Sequence, residues 1–341
     1  MRIYPVFIPH SGCPHRCLFC AQDKTSGQTE APTPDSVKVW LDQTLPLVGN
    51  SDGSGDGEIA FYGGTFTALP QSTQDAYLDV AKRFVAAGRV GAIRLSTRPE
   101  TLDAETVERL CAFGVATVEI GAQSFDSQVL LAAKRGHSAA DVIAAVQQCR
   151  AAKLQVGLQL MPGLPAGNAK EALASLDSAL ALQPDFVRIY PALVVEGTGL
   201  ALLWRDGAYR PWSLDEAVEV CADMMLACRR SHVPVIRLGL QQEASLEQNL
   251  LSGPYHPAFG QLVRSRLWRR ALGRAANSGM ITVHPDDYSD VIGHGGENRR
   301  WLERRYPQLK LQRDSAIERD SLLAADGAID LYDPTSSRQF V

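Results

Sequence analysis

From the N-terminus to about residue 240, short runs rich in β-branched residues alternate with longer stretches whose apolar residues recur at helical spacing. The strand candidates are residues 3–8, 58–62, 92–96, 117–120, 155–160, 186–190 and 233–238, and residues 141–153 and 214–228 are typical of the helical stretches between them. Repeated strand-then-helix units predict an α/β fold with a parallel sheet covered by helices. Such units close into a full or partial barrel whose chemistry collects at the C-terminal strand ends. The conspicuous residues of this chain fall there: a cysteine-rich loop after the first strand, Gly63-Gly64-Thr65 after the second, Ser96-Thr97-Arg98-Pro99 after the third and Gln123-Ser124 after the fourth.

The first of these loops reads Ser11-Gly12-Cys13-Pro14-His15-Arg16-Cys17-Leu18-Phe19-Cys20, a C-x3-C-x2-C spacing. Thiolates are soft ligands that hold iron in iron–sulfur clusters. Cys13, Cys17 and Cys20 on one tight loop can grip three corners of a cubane and leave the fourth iron open to a small molecule. A disulfide would leave an odd thiol. Zinc would need a fourth ligand, which His10 or His15 could supply, although zinc sites usually pair two C-x2-C knuckles and only one is present. The same histidines could tune a cluster, meet a substrate or simply shape the turn. Cys111, Cys149, Cys221 and Cys228 are scattered through apolar, helix-like sequence and read as small buried hydrophobes.

With 45% hydrophobic and 21% charged residues the composition is that of an ordinary soluble protein, and its 341 residues suffice for a large domain with an appendage or for two domains. The formal net charge of -4 means that any nucleic-acid contact must come from local patches. No apolar run approaches the roughly 20 residues of a membrane span. The opening residues lack a long apolar h-region and a cleavage site, so a cytoplasmic location, reducing and suited to free thiols, is expected. Residues 51–57 form a Gly/Ser-rich surface loop by composition. The strand–helix alternation stops after about Leu240, and Ser252-Gly253-Pro254-Tyr255-His256-Pro257 punctuates the change. A barrel over 1–245, a connecting helical segment over 246–279 with a basic helix at 261–277, and a small module over 280–341 are the expected divisions.

Four stretches point to a family. They are Phe61-Tyr62-Gly63-Gly64-Thr65-Phe66-Thr67; Val118 through Ser124 with Arg135-Gly136-His137; Met161-Pro162-Gly163-Leu164-Pro165; and Arg188 through Thr198. Together they resemble the radical S-adenosylmethionine (SAM) superfamily, and within it the radical SAM half of the elongator complex catalytic subunit, over about the first 240 residues. The resemblance implies a parallel, partial (β/α)6 TIM-like barrel of the radical SAM type with a small α+β C-terminal module. It also implies a 4Fe-4S cluster on the three cysteines, with SAM chelating the open iron through its amino and carboxylate groups. Reductive cleavage would then give a 5'-deoxyadenosyl radical, with an electron donor such as flavodoxin or ferredoxin as partner. By similarity the Gly63-Gly64-Thr65 backbone holds the methionine amino group, Arg135 meets the carboxylate, Gln123 hydrogen-bonds the ribose, and the strand around Tyr190 packs the adenine. Each role suits the group, since a guanidinium matches a carboxylate and an amide both donates to and accepts from hydroxyls. Ser96 and Gln159 occupy cofactor-contacting positions where relatives often carry other residues, so contacts there are expected to differ. No length comparable to the relatives' acetyltransferase half follows the barrel, so acetyl transfer is not expected to carry over.

The tail carries one further motif. Val291-Ile292-Gly293-His294-Gly295-Gly296 resembles the Ile-Gly-x-x-Gly turn of KH modules, in which glycines bring backbone N–H groups near phosphates. Gly293, His294, Gly295, Gly296, Arg299 and Arg300 are the RNA-contacting candidates. Arg304, Arg305, Lys310 and Arg313 follow, and Arg264, Arg266, Arg269, Arg270 and Arg274 precede, forming a basic footprint diluted by Asp286, Asp287, Asp290, Glu297 and Glu303. The expected function is radical SAM modification of an RNA nucleoside, with a transfer RNA uridine suggested by the elongator resemblance. A small-molecule reaction, as in relatives of oxygen-independent coproporphyrinogen oxidase, is the alternative within the superfamily. A non-catalytic RNA-binding protein is the alternative outside it.

Overall fold

Six parallel strands follow one another across a sheet in chain order: β1 (Ile3–Ile8), β2 (Glu58–Gly63), β3 (Ala92–Thr97), β4 (Val115–Gln123), β5 (Gln155–Leu160) and β6 (Phe186–Ile189). They belong to the first of two units, Met1–Pro211 with Gln241–Gly253; the second is Trp212–Leu240 with Pro254–Val341. The computed structural model describes residues 2–9, 13, 16–47, 55–325 and 327–332, so His10, His15 and residues 51–54 lie outside the described residues.

Every strand of the sheet coincides with a run expected from the sequence, to within a few residues at its ends. The largest difference is β4, which extends to Gln123 through a register irregularity between Ile120 and Gln123. Between the strands lie α1 (Gln22–Ser26), α2 (Pro34–Thr44), α3 (Gln71–Ala86), α4 (Ala104–Ala112), α5 (Ser127–Ala132), α6 (Ala139–Ala151) and α7 (Ala169–Ala181). Local chemistry starts several of them. Asp126 accepts from the Gln128 and Val129 amides at the head of α5, and Ser138 and Asp141 form a reciprocal capping box at the head of α6. The unit is completed by β7 (Val194–Val195), α8 (Gly199–Arg205), α10 (Ala244–Asn249) and β9 (Leu250–Ser252), with β7 and β9 paired antiparallel.

The sheet curls, and its inner face is charged. Parallel strands covered on both faces are usually apolar throughout. Here Ile59, Phe61, Ile93, Leu95, Val118, Ile120, Val187 and Ile189 are buried, while the alternate positions hold Glu58, Tyr62, Arg94, Glu119 and Arg188. Arg94 donates from Nε to Glu58 at 2.6 Å and from Nη1 to Glu119 at 2.8 Å, and Thr117 donates to Glu58 at 2.7 Å. Arg188 on β6 donates to the Tyr62 hydroxyl on β2 at 3.0 Å and pairs with Glu119 at 3.0 Å. In a flat sheet four strand spacings of about 4.8 Å would separate β2 from β6 by roughly 19 Å. Contact between them requires the sheet to wrap, as in the expected partial barrel.

The second unit contains α9 (Leu214–Arg230), β8 (Val235–Leu238), α11 (Phe259–Arg274), β10 (Met280–Val283), α12 (Tyr288–Ile292), α13 (Glu297–Arg305), β11 (Lys310–Arg313), β12 (Ser321–Ala324) and β13 (Gly327–Asp330). A four-stranded sheet runs β11-β10-β12-β13, with β10 and β11 parallel and the other pairs antiparallel. The basic helix is α11, whose buried face holds Val263, Leu267, Trp268, Ala271 and Leu272.

Candidate functional site

The cysteine loop runs from the C-terminal end of β1 into α1, and its backbone is held from two sides. The Leu18 amide donates to the Ala133 carbonyl just past α5 at 3.0 Å, and the Leu18 carbonyl accepts from the Leu200 amide of α8 at 2.8 Å. Leu18 packs with Val194, Leu200, Ala201 and Tyr209. A hydrogen bond from Ser245 in α10 to the Lys24 carbonyl fastens α1 immediately behind the loop.

Cys13 is exposed, Cys20 half-buried and Cys17 buried. The Cys13 sulfur lies 3.4 Å from the Thr65 hydroxyl, joining the first loop to the second. The Cys17 sulfur accepts from Arg98 Nη1 at 3.4 Å and from Arg135 Nη1 at 3.2 Å. Burial, reinforced by the neighbouring Cys17 and Cys13 sulfurs, pushes the Cys20 thiol up to about 12. Among the described residues no three His, Cys, Asp or Glu side chains converge on one point. The fit to an iron–sulfur cluster rests instead on the donor set: three soft thiols on one loop, which a metal deprotonates on coordination.

The glycine turn packs against β1. Gly64 donates to the Ile8 carbonyl at 2.8 Å, and the Gly63 carbonyl accepts from the Gln22 side chain at 2.5 Å. A Cβ on Gly63, where φ is +112°, would meet the Ile8 carbonyl oxygen at 2.5 Å, so only glycine lets the two chains approach this closely. Gly121 is confined in a similar way, because a Cβ there would lie 2.8 Å from both Arg135 Nη2 and Gln123 Nε2.

Gln123, at φ +67°, holds a left-handed conformation unusual for a side-chain-bearing residue, a strain typical of functional sites. Its carbonyl accepts from the Met161 amide at 2.8 Å, and its side-chain oxygen accepts from Gln159 at 3.3 Å. Arg135 is buried; its Nη2 donates to the Gly121 carbonyl at 2.5 Å, and its Nε is buried without a partner. Burial pulls the Arg135 guanidinium below its ordinary pKa, partly countered by Cys17. A buried cation with a spare N–H suits an anionic ligand group. Ser96 and Tyr190 are half-buried at the ends of β3 and β6, Tyr190 one residue past the strand. An open depression of about 680 Å³ lies at the opposite rim, around Glu58, Ala92, Val115 and Gln155 where four strands begin, and none of the cysteine-loop or glycine-turn residues line it.

Cys111 is half-exposed, a departure from the burial expected of it, whereas Cys149, Cys221 and Cys228 are buried as anticipated. Arg98, Glu100 and His137 were not singled out as site residues by the sequence. Arg98 pairs with Glu100 at 2.5 Å and donates to the Arg135 carbonyl, and His137 faces the Ala122 carbonyl at 3.1 Å and Glu100 at 3.6 Å. Arg98 is the arginine of the Arg-Pro pair after β3 and His137 the histidine of the Arg-Gly-His run after α5, and membership of those motifs was the available signal.

In the second unit, Gly293, Gly295 and Gly296 all have positive φ in the turn between α12 and α13, and Asn298 braces it by donating to the Val291 carbonyl at 3.1 Å. Arg300 donates to the Gly295 carbonyl at 2.6 Å, Arg299 pairs with Glu303 at 2.8 Å, and His294 packs edge-on against His256. Four arginines of the footprint are paired within the unit: Arg264 with Asp290, Arg266 with Glu219, Arg269 with Glu297 and Arg270 with Asp223.

A family model described as "Radical SAM superfamily" matches residues 7–179, and one described as "Radical_SAM C-terminal domain" matches residues 184–269. The tRNA uridine(34) acetyltransferase of Methanocaldococcus infernus is 32% identical over 183 residues, covering 48% of this chain and 34% of the relative. That of Dehalococcoides mccartyi is 27% identical over 245 residues, covering 62% and 53%, and human Elongator complex protein 3 is 27% identical over 188 residues, covering 49% and 34%. The chain thus spans about a third to a half of the length of these relatives. Among solved structures, an archaeal Elp3 from Methanocaldococcus infernus with its N-terminus deleted superposes with a TM-score of 0.57 at 22% identity, over 79% of this chain and 63% of that one. That likeness confirms the α/β fold expected from the strand–helix alternation. With the superfamily match spanning half of its residues, the chain belongs to the radical SAM superfamily, whose enzymes bind a 4Fe-4S cluster and S-adenosylmethionine.

Proposed function

We propose that this radical SAM enzyme modifies a nucleoside in RNA, with a transfer RNA uridine as the substrate class. The observation that carries the substrate is that relatives sharing this stretch of sequence are named as transfer RNA uridine(34) enzymes. Acetyl transfer, also in those names, is not proposed here.

Cys13, Cys17 and Cys20 would hold the cluster, whose chemistry would be the one-electron reduction of SAM. The Gly63-Gly64-Thr65 backbone receives the SAM amino group, from a turn that Gly63 lets pack directly against the Ile8 carbonyl. Arg135 takes the carboxylate with its spare N–H, its guanidinium already oriented by Gly121 and Cys17. Gln123, held by Met161 and Gln159, addresses the ribose, while Ser96 and Tyr190 bound the adenosyl side. The glycine turn of the second unit contacts an RNA backbone through its amides. A flavodoxin- or ferredoxin-like protein delivers the electron.

One observation favours a small-molecule substrate instead: Arg264, Arg266, Arg269 and Arg270 of α11 are committed to carboxylates inside the second unit, leaving less free positive charge than an RNA surface usually presents. Anaerobic reconstitution, a search for reductant-dependent 5'-deoxyadenosine, and mass spectrometry of transfer RNA from cells with and without the protein test both. Unchanged transfer RNA alongside active SAM cleavage rejects the RNA substrate and leaves the small-molecule one.

A further inference from the structure

We propose that Arg98 and Glu100 set the reduction potential of the iron–sulfur cluster, Arg98 as a cationic donor to the Cys17 sulfur and Glu100 as the carboxylate that offsets it. The inference rests on Cys17 being a cluster ligand. Two guanidinium groups reach the Cys17 sulfur, from Arg98 just past β3 and from Arg135 past α5. They differ in company. Arg98 donates from Nε to Glu100 Oε1 at 2.5 Å, whereas none of the described carboxylates lies in contact with Arg135.

Arg98 is 3% exposed, so solvent screens its charge little. The other Glu100 oxygen is buried without a hydrogen-bond partner, and its nearest basic group is His137 Nδ1 at 3.6 Å. That imidazole is neutral near pH 7, since burial and Arg135 pull it down to about 3. The Glu100 charge is therefore answered chiefly by Arg98.

Reducing the cluster adds one negative charge beside Cys17. A fixed cation and an N–H donor at the sulfur stabilise the reduced form more than the oxidised one and raise the potential; a nearby carboxylate lowers it. The two partners of one ion pair thus act in opposite directions.

The test is a redox titration followed by electron paramagnetic resonance, on the cluster-loaded full chain and its variants, with iron and sulfide content measured in each. Arg98→Gln should lower the one-electron reduction equilibrium about tenfold, a downward shift of about 59 mV. Glu100→Gln should shift the potential upward. Loosening of the loop would not give opposite signs. Shifts of the same sign, or no shift in fully loaded variants, overturn the proposal while leaving the enzyme assignment standing. If Arg98→Gln does not retain its cluster, Arg98→Lys, which keeps the charge, should stay near the parent, and the upward shift in Glu100→Gln decides. A parent chain that never takes up iron overturns both this proposal and the proposed function.

Discussion

Arg135 donates a hydrogen bond to the sulfur of Cys17, 118 positions earlier in the chain, at 3.2 Å. The bond ties the segment after α5 to the loop after β1, and Arg98 reinforces it by donating both to the same sulfur and to the Arg135 carbonyl. Segments that follow β1, β3 and α5 are thereby fixed around one thiol, the kind of preorganisation that functional constellations require.

Replacing any of Cys13, Cys17 or Cys20 by alanine should abolish the brown colour and the iron and sulfide content of reconstituted protein, and reduce 5'-deoxyadenosine release to background. Cys221→Ala and Cys228→Ala, which alter buried thiols in α9, should keep full loading. Loading that survives in one of the first three variants would remove that cysteine from the ligand set.

Arg135→Gln should weaken SAM binding to the loaded protein, measured by equilibrium dialysis. Loss of one charge-assisted contact costs about 1.5–3 kcal/mol, which corresponds to roughly a 10- to 150-fold rise in Kd. An unchanged Kd would assign the carboxylate to another residue.

Arg94 is 2% exposed and holds Glu58 and Glu119 together inside the sheet. Arg94→Ala leaves two buried carboxylates without their cation and should cost about 3–5 kcal/mol, read from denaturant unfolding. Adding Glu58→Gln and Glu119→Gln should recover part of that loss. A cost within experimental error would mean that water reaches this network.

Much of this architecture was legible because period-two apolar runs and helical spacing are local signals, and the cysteine loop and Gly-Gly-Thr turn are contiguous. The charged inner face was not, although Glu58, Arg94, Glu119 and Arg188 already interrupted their strands at alternate positions. Their partnership depends on strand order and curl, which no single strand encodes. The same holds for Arg98 and Cys17, which meet only when β1 and β3 lie in one sheet. Arg264, Arg266, Arg269 and Arg270 read as a basic footprint because their acidic partners lie 26 to 51 positions away.

His137 supplies a pH dependence of stability. Its folded-state pKa falls from the ordinary 6.5 to about 3, chiefly through burial and then through Arg135, so between those values the unfolded chain binds more protons than the folded one. The contribution is complete above pH 6.5 and is lost as pH falls toward 3, with a limiting slope of about 1.4 kcal/mol per pH unit. Between pH 6.5 and 5 the parent should therefore lose more stability than His137→Gln in denaturant titrations. Equal slopes would mean that the imidazole titrates normally.

The double substitution Arg299→Ala and Arg300→Ala separates RNA contact from folding. Arg299 pairs with Glu303 across one turn of α13 with both side chains exposed, and Arg300 reaches only the Gly295 carbonyl, also at the surface. Exposed pairs of this kind contribute little to stability, so unfolding should move little. If the turn holds an RNA backbone, retention of mixed transfer RNA in a filter assay should fall severalfold and the salt dependence of binding should flatten, because fewer phosphates are neutralised. Unchanged retention and an unchanged salt slope would detach RNA recognition from this glycine turn and shift weight to the small-molecule substrate, since Arg264, Arg266, Arg269 and Arg270 of α11 already face carboxylates.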